Sequence, residues 1–203
     1  MPYRIKKPSE VVHKVKGSKF IARVYPVTSR EEARKVVMDA EVEHRKATHV
    51  CWACRIVRNG ECFGYSSDAG EPTGSAGPPI LAEIEMRDLV NVLCVVIRYF
   101  GGTKLGIGGL IRAYGTAAAE ALRTAGRQRH VPLLTVTIRC DPGQYSDLMR
   151  IIRKYRLPVQ PEYDIRSVVI TLKLPAAVLE RLQAEVVALE SATLMVISED
   201  ATE

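Results

Sequence analysis

Residues 91–124 read NVLCVVIRYFGGTKLGIGGLIRAYGTAAAEALRT and contain the strongest local signals in the chain. Asn91–Tyr99 is almost continuously apolar, which is typical of a strand buried on both faces. Gly101–Gly109 is a glycine-rich loop, and Leu110–Thr124 is an alanine-rich segment followed by Gly126, a residue common just past helix C-termini. This stretch therefore predicts a buried strand, a glycine loop and a helix in succession.

The glycine loop has the features of an anion-binding turn. Glycine lets a ligand approach the backbone closely, and the free N–H groups at the start of a helix attract anions such as phosphate. Arg98 and Lys104 flank the loop, and Arg112 follows about one turn into the helix. We therefore predict a phosphate-binding site whose glycines are Gly101, Gly102, Gly106, Gly108 and Gly109.

Two nucleotide-binding motifs are excluded at this loop. A Walker A loop needs Lys and then Ser or Thr directly after its second glycine, but Gly106 is followed by Ile107 and Gly108. The dinucleotide fingerprint fails as well, because its third glycine is missing after Gly106-Ile107-Gly108. The alternative to a phosphate site is a glycine-rich turn that only permits close packing of the strand and the helix.

The rest of the N-terminal part also combines strands and helices. A turn at Val15–Ser18 joins two extended segments, and Asn59-Gly60 is a second hairpin signal. Apolar residues at helical spacing predict a helix at 30–45. The predicted strands are 10–14, 19–27, 48–57 and 61–65, followed by a loop at 66–79 and a short helix at 80–86.

The last third repeats a strand-helix-strand pattern twice, which is the split βαβ arrangement of ferredoxin-like domains. A short basic linker is predicted at 127–131. We therefore predict an α+β protein with two domains, 1–129 and 131–203. The predicted strands of the second domain are 133–140, 159–165, 167–174 and 193–198, and its predicted helices are 144–155 and 176–189.

The loop at 66–79 carries two carboxylates, Asp68 and Glu71, which could hold a hard cation or act as acid and base. The alternative, which we favour, is turn chemistry: Asp68 bonds its own backbone, and Thr73 or Ser75 caps the short helix. His49 could line the same site, although a hydrogen-bonded, half-buried histidine is the simpler role.

A zinc site at Cys51 and Cys54 is disfavoured by their spacing. Residues separated by an odd number on a strand point to opposite faces, so the two thiols cannot share a tetrahedral ion. His49 and Cys51 do share a face. We predict no metal and no cofactor.

Composition and charge limit the class of protein and its partners. The chain has 203 residues, of which 47% are hydrophobic and 26% charged, as in folded globular proteins. Its longest apolar run, Val92–Ile97, is far shorter than the roughly 20 residues of a membrane helix. The sequence MPYRIKKPSE does not read as a signal peptide, so we expect a cytoplasmic protein with no membrane partner. In that compartment we expect the five cysteines to be reduced. Residues 1–130 carry 21 basic and 13 acidic side chains, which favours an acidic partner such as nucleic acid.

Several motifs resemble those of one family. The segment Val95–Gly115 resembles the signature of the Impact family, in its bacterial YigZ-type branch, and Gly70–Gly77 resembles the second motif of that family. Ser18–Ile21 and His49 are also similar to residues of the family. Two positions depart from its pattern: Ala69 replaces a frequent acid, and Pro78 replaces a frequent Lys or Arg.

The resemblance implies a fold and a cellular role. It implies an N-terminal Impact domain, of a β-α-β type found in ribosomal proteins and in the fourth domain of elongation factor G. It also implies a ferredoxin-like C-terminal domain similar to the fifth domain of that factor. The eukaryotic members of the Impact family regulate translation by competing for an activator of a starvation-sensing kinase, so the resemblance also implies a role in translational regulation.

Three functions are consistent with these observations. The leading hypothesis is a translation-associated regulatory protein without enzymatic activity that binds RNA or the ribosome. Arg98, Lys104 and Arg112, with the glycine-loop amides, would contact phosphates, and Lys16 and Lys19 would extend the contact surface. The alternatives are a hydrolase acting on a small phosphorylated or peptide substrate at Asp68, Glu71 and His49, and a module that binds a protein partner.

Overall fold

The structure, a computed structural model, describes residues 2–58, 60–157, 159–163, 167–189 and 191–199. The chain divides into two units: the first contains residues 1–57 and 61–130, and the second contains residues 58–60 and 131–203. The predicted turn at Asn59-Gly60 and the predicted strand end at 164–165 lie partly or wholly outside the described residues. No described helix is long and apolar enough to cross a lipid bilayer.

The first unit is built on a five-stranded sheet. Each of the three strand pairs β2–β3, β3–β6 and β6–β4 is antiparallel. In spatial order the strands are β2 (Ser9–Val15), β3 (Ser18–Pro26), β6 (Val92–Tyr99), β4 (His49–Arg58) and β5 (Glu61–Ser67).

The central strand β6 is buried on both faces, which confirms the prediction from its apolar run. Its even-numbered apolar residues, beginning at Val92, pack with α2 (Gly77–Met86) and α3 (Ile107–Ala125). Its odd-numbered apolar residues, beginning at Leu93, pack with α1 (Arg30–Glu43). Helices cover both faces of this sheet, so β6 is buried from Val92 to Arg98.

Local sequence signals account for two further elements. Between β2 and β3, Lys16 and Gly17 have φ angles of 46° and 80°, the positive values that a two-residue type I′ hairpin turn requires. At the start of α1, the Ser29 side chain accepts a hydrogen bond from the Glu32 backbone N–H. Both the predicted hairpin and the predicted helix are confirmed.

The predicted linker at 127–131 is wrong over its first three residues. Arg127–Arg129 forms strand β7, which pairs antiparallel with β1 (Tyr3–Ile5). The Arg127 guanidinium lies 4.5 Å from the centre of the Tyr3 ring, and Ile5 is buried. Because the Arg-Gln-Arg sequence has no apolar pattern, only its pairing with the N-terminus reveals it as a strand.

Two helices begin earlier than predicted. Helix α2 begins at Gly77 and α3 at Ile107. In α2 the prolines at 78 and 79 occupy the first turn, where a missing N–H has no cost. The early start of α3 places Gly108 and Gly109 inside the helix rather than in the loop.

The second unit is a four-stranded antiparallel sheet with two helices. The strand order is β11-β8-β10-β9, the ferredoxin-like order, and each adjacent pair runs antiparallel. The α+β class and the ferredoxin-like arrangement are therefore confirmed. The elements are β8 (Leu133–Cys140), α4 (Tyr145–Lys154), β9 (Val159–Tyr163), β10 (Val168–Pro175), α5 (Ala176–Val187) and β11 (Thr193–Glu199).

Candidate functional site

A buried ion pair connects the two segments that the sequence singled out. The Arg98 guanidinium, on central strand β6, donates to Glu71 Oε1 at 2.6 Å, and the two side chains are only 7% and 3% exposed. The Tyr114 hydroxyl, from α3, donates to the same oxygen at 2.8 Å. Arg98 also lies between the rings of Phe20 and Phe100, at 5.6 and 5.5 Å from their centres. Arg98 therefore faces the core and not the glycine loop, which corrects its prediction as a phosphate ligand.

Asp68 organises the loop that carries Glu71. Its carboxylate accepts backbone hydrogen bonds from Gly74, Ala76 and Gly77, each at 2.8 Å. Burial acts to raise the Asp68 pKa, but the three N–H donors outweigh it and hold that pKa below its usual value. Asp68 thus bonds its own backbone, as the turn interpretation predicts.

The N-terminus of α2 is capped by a different residue from the one predicted. The N-cap residue of α2 is Ala76, whose side chain makes no capping hydrogen bond. The prediction that Thr73 or Ser75 caps this helix is therefore wrong. Asp68 supplies the acceptor from outside the helix. Since both Asp68 oxygens accept backbone donors, this carboxylate is poorly placed for acid–base work.

His49 lies beside Glu71 at the edge of the buried cluster. Its Nδ1 is 2.8 Å from the Ala69 carbonyl oxygen, and its Nε2 is 4.0 Å from Glu71 Oε2. The His49 side chain is 21% exposed, so it is the half-buried, hydrogen-bonded histidine of the simpler interpretation. Of the three candidate catalytic residues, His49 and Glu71 are brought together, while Asp68 holds the loop.

The cysteines near this cluster are structural. The Cys51 thiol contacts the Asp68 carbonyl oxygen at 3.0 Å and the Tyr114 hydroxyl oxygen at 3.4 Å. Burial raises the Cys51 pKa to about 12 and also raises that of Tyr114. Cys51 and Cys54 pack in different core clusters, which confirms that they point to opposite faces of β4. Among the described residues, no three His, Cys, Asp or Glu side chains are grouped so that they could hold a metal ion.

Gly101 is a packing position. A Cβ on Gly101 would lie 1.9 Å from the Gly17 carbonyl carbon, so the backbones of the β2–β3 turn and the glycine loop are in direct contact. The Gly101 N–H donates to Ser18 Oγ at 3.2 Å, which takes this amide out of the predicted phosphate site. Gly102 and Gly106 have φ angles of 87° and 70° and open space around them, so they shape the loop.

A groove lies on the first unit between the β2–β3 hairpin and the start of α3. It has a volume of about 290 Å³ and is lined by Lys16, Gly109 and Arg112, all three predicted, together with His13, which the prediction missed. No acidic residue is among its lining residues, which also include Val15, Leu105, Ala113 and Thr116. A groove with two cations and the first turn of a helix is suited to an anionic ligand.

The exposed cations near this groove form what we call the basic surface: Lys16, Lys104 and Arg112. Among the ion pairs between described residues, none involves these three side chains. Lys19 is not part of this surface. The Lys19 ammonium group lies 5.8 Å from the centre of the Tyr99 ring. Lys19 and its buried neighbour Phe20 lie on opposite faces of the sheet.

The fold and the basic surface together define a class of protein. It is a two-unit α+β protein in which a glycine-rich loop and a hairpin turn present a candidate anion-binding surface. A family model described as the Impact N-terminal domain matches residues 16–122. The chain belongs to the IMPACT family.

Individual relatives support this assignment along most of the chain. The Escherichia coli protein "IMPACT family member YigZ" is 35% identical over 147 residues, which cover 71% of this chain and 72% of that protein. An IMPACT family member from Haemophilus influenzae is 30% identical over 184 residues, 90% of this chain and 89% of that protein. A crystal structure described as that of a hypothetical protein has a TM-score of 0.77 at 31% identity, and the match covers 98% of both chains.

Proposed function

We propose that this protein regulates translation in the cytoplasm by binding the phosphate backbone of RNA, free or within the ribosome, through the basic surface. Membership of the IMPACT family, which is linked to translational regulation, supports the cellular role. The excess of basic residues in the first 130 positions supports an acidic partner.

One observation carries the proposal: the backbone contact between Gly17 and Gly101. It places the hairpin cation Lys16 at the groove that Arg112 and the first turn of α3 also line. Because these cations are exposed and form no ion pair with a described residue, they are available to contact a phosphate. The arrangement supports phosphate binding more directly than hydrolysis, since the Asp68 carboxylate is taken up by backbone donors.

A salt titration tests the proposal. The affinity for a labelled, unstructured single-stranded RNA is measured by fluorescence anisotropy across roughly 50–200 mM KCl. Three phosphate contacts predict a slope of log K against log salt of about −2.1, at about 0.7 for each contact. In the single variants Lys16→Ala, Lys104→Ala and Arg112→Ala, we expect a slope of about −1.4 and weaker binding to all RNA sequences alike.

The matched control is Lys35→Ala. Lys35 is an exposed lysine on α1, which covers the other face of the sheet, so this variant has the same loss of charge without the loss of a proposed contact. The proposal fails if the wild-type protein does not bind RNA, or if all four variants bind with the wild-type slope. A partner that remains bound after nuclease treatment of a cell extract would support the protein-interaction alternative instead.

A further inference from the structure

The gap between His49 and Glu71 is flanked by two hydrogen-bond acceptors. A carbonyl oxygen can only accept, so the 2.8 Å contact with the Ala69 carbonyl requires the proton of a neutral His49 to be on Nδ1. Its Nε2 then presents a lone pair, and that atom faces Glu71 Oε2 at 4.0 Å. With the proton on Nδ1, two acceptors face each other, and their contact becomes favourable only when a proton on Nε2 or a ligand supplies a donor between them.

The charge around the gap favours a neutral donor. The Glu71 carboxylate is already paired with Arg98 through Oε1 at 2.6 Å. An ammonium group would add an uncompensated positive charge next to that guanidinium, and an anion would be repelled by Glu71. A ligand with two neutral O–H groups side by side satisfies both acceptors, one hydroxyl to Nε2 and the other to Oε2.

An exposed aromatic ring stands next to this gap. Phe100 is 47% exposed, and its backbone N–H donates to the hydroxyl of Thr48, the residue before His49. Arg98, the cross-strand partner of His49, lies 5.5 Å from the centre of the Phe100 ring. Because exposed aromatic rings stack nucleic-acid bases without regard to sequence, Phe100 is suited to hold a base while the neighbouring acceptors hold its sugar.

We propose that His49 and Glu71 bind the vicinal 2′,3′-hydroxyls of a ribose whose base stacks on Phe100. Carboxylates recognise ribose hydroxyls in the same way at dinucleotide sites. In RNA only the 3′-terminal nucleotide has both hydroxyls free, so the site would select an RNA 3′ end. Phe100 directly precedes the glycine loop, so the preceding phosphates would reach Lys104 and Lys16. This inference rests on the proposed RNA binding for the source of the ribose.

The test varies the ligand, so that the wild-type protein alone can refute the inference. Affinities are measured at pH 8, above the range in which an ordinary imidazole titrates. The ligands are one RNA with a normal 3′ end and the same RNA ending in a 2′-deoxy or a 3′-deoxy nucleotide. We expect each deoxy end to weaken binding by about tenfold, the value of one hydrogen bond to a charged or strongly polar acceptor. Equal affinities for the three ends, with binding still dependent on salt, overturn the inference and leave the phosphate proposal intact.

Protein variants separate the ribose contacts from the phosphate contacts. His49→Phe keeps a planar ring and removes the Nε2 acceptor, so this variant is expected to bind one of the two deoxy ends as tightly as the normal end, while Glu71 still discriminates against the other. Lys104→Ala is expected to weaken all three RNAs by the same factor. If His49→Phe unfolds, as judged by circular dichroism, His49→Ala takes its place. A His49 variant that folds and still disfavours both deoxy ends as strongly as the wild type contradicts the inference.

A free nucleotide distinguishes the two sources of the diol. Binding of AMP, with tenfold weaker binding of its 2′-deoxy and 3′-deoxy analogues, supports the ribose site even where RNA does not bind and the phosphate proposal fails. Where RNA does not bind, equal binding of AMP and its two deoxy analogues overturns the inference.

Discussion

The Gly101→Ala variant tests the backbone contact on which the basic surface depends. The new methyl carbon would lie 1.9 Å from the Gly17 carbonyl carbon, 2.1 Å from its oxygen and 2.3 Å from the Ser18 nitrogen. All three are backbone atoms, which cannot rotate away as a side-chain end can. To restore ordinary contact at about 3.5 Å, the turn and the loop must separate by about 1.5 Å.

This separation has an energetic and a functional cost. It breaks the 3.2 Å hydrogen bond from the Gly101 N–H to Ser18 Oγ and opens the contact beside buried Phe20. Overpacking in a core costs about 1–3 kcal/mol, and the lost hydrogen bond adds about 1 kcal/mol, so we expect a loss of about 3 kcal/mol. With a urea m-value of about 1–3 kcal/mol per molar, the unfolding midpoint falls by about 1 M or more. RNA binding is expected to weaken as well, because Lys16 moves away from the groove.

Urea unfolding followed by Trp52 fluorescence measures the effect, since Trp52 is the only tryptophan and lies on β4 of the first unit. Gly108→Ala is the control within the same motif. Its methyl group meets no atom closer than 3.7 Å, and it lies in a helix, where alanine is favoured over glycine by up to about 1 kcal/mol. We therefore expect opposite signs for the two substitutions. Equal midpoints for Gly101→Ala and the wild type would refute the close contact and the grouping of cations that depends on it.

Three further predictions concern Asp68, the Arg98–Glu71 ion pair and the cysteines. Asp68→Asn is expected to cost about 1–2 kcal/mol at pH 7, because the amide has one acceptor oxygen where the carboxylate uses two, which leaves the Gly74 N–H without its acceptor. Because the folded-state pKa of Asp68 is lowered, wild-type protein should lose this advantage as the pH falls below the range of an ordinary aspartate and through the lowered pKa, in urea titrations at several pH values. Glu71→Ala is expected to destabilise the first unit by about 3–5 kcal/mol in the same assay, since it leaves Arg98 buried without its counterion. The double variant Glu71→Leu with Arg98→Met should restore most of this loss, because it removes both charges. A thiol reagent at pH 8 should label one cysteine quickly in the native protein, the exposed Cys62. Labelling of the other four is expected to be slow, because burial raises the pKa of their thiols. A fast phase that survives in Cys62→Ser would contradict this prediction.

Patterns in the sequence identify elements whose signals are local. The apolar run of β6, the turn at Val15–Ser18 and the helical spacing at 30–45 each depend on a few consecutive residues, and each prediction is confirmed. The period of two along β6 also places Arg98 on the face of Cys94 and Val96, which is buried, so that signal was available in the sequence.

The partners of these residues could not be predicted in the same way. Glu71, the counterion of Arg98, lies in a loop between two other elements, and no local pattern relates the two side chains. The contact of Gly17 with Gly101 joins two turns that are far apart in sequence and depends on the register of β3 against β6. Tyr114 was accessible in principle, since its spacing from Leu110 and Ala117 places it on the buried face of α3.

The burial of Arg98 limits how phosphate binding could give selectivity. With Arg98 neutralised by Glu71 and Lys19 packed with the other face of the sheet, the predicted cations that remain are Lys16, Lys104 and Arg112. Three contacts at about 0.7 each predict an affinity that falls about eighteenfold between 50 and 200 mM salt, and this attraction is the same for any RNA sequence and for DNA. Discrimination among nucleic acids must therefore come from groups that read more than charge. The acceptors of His49 and Glu71 and the exposed ring of Phe100 are groups of this kind next to the basic surface, so removing them should abolish selectivity while the salt dependence is retained.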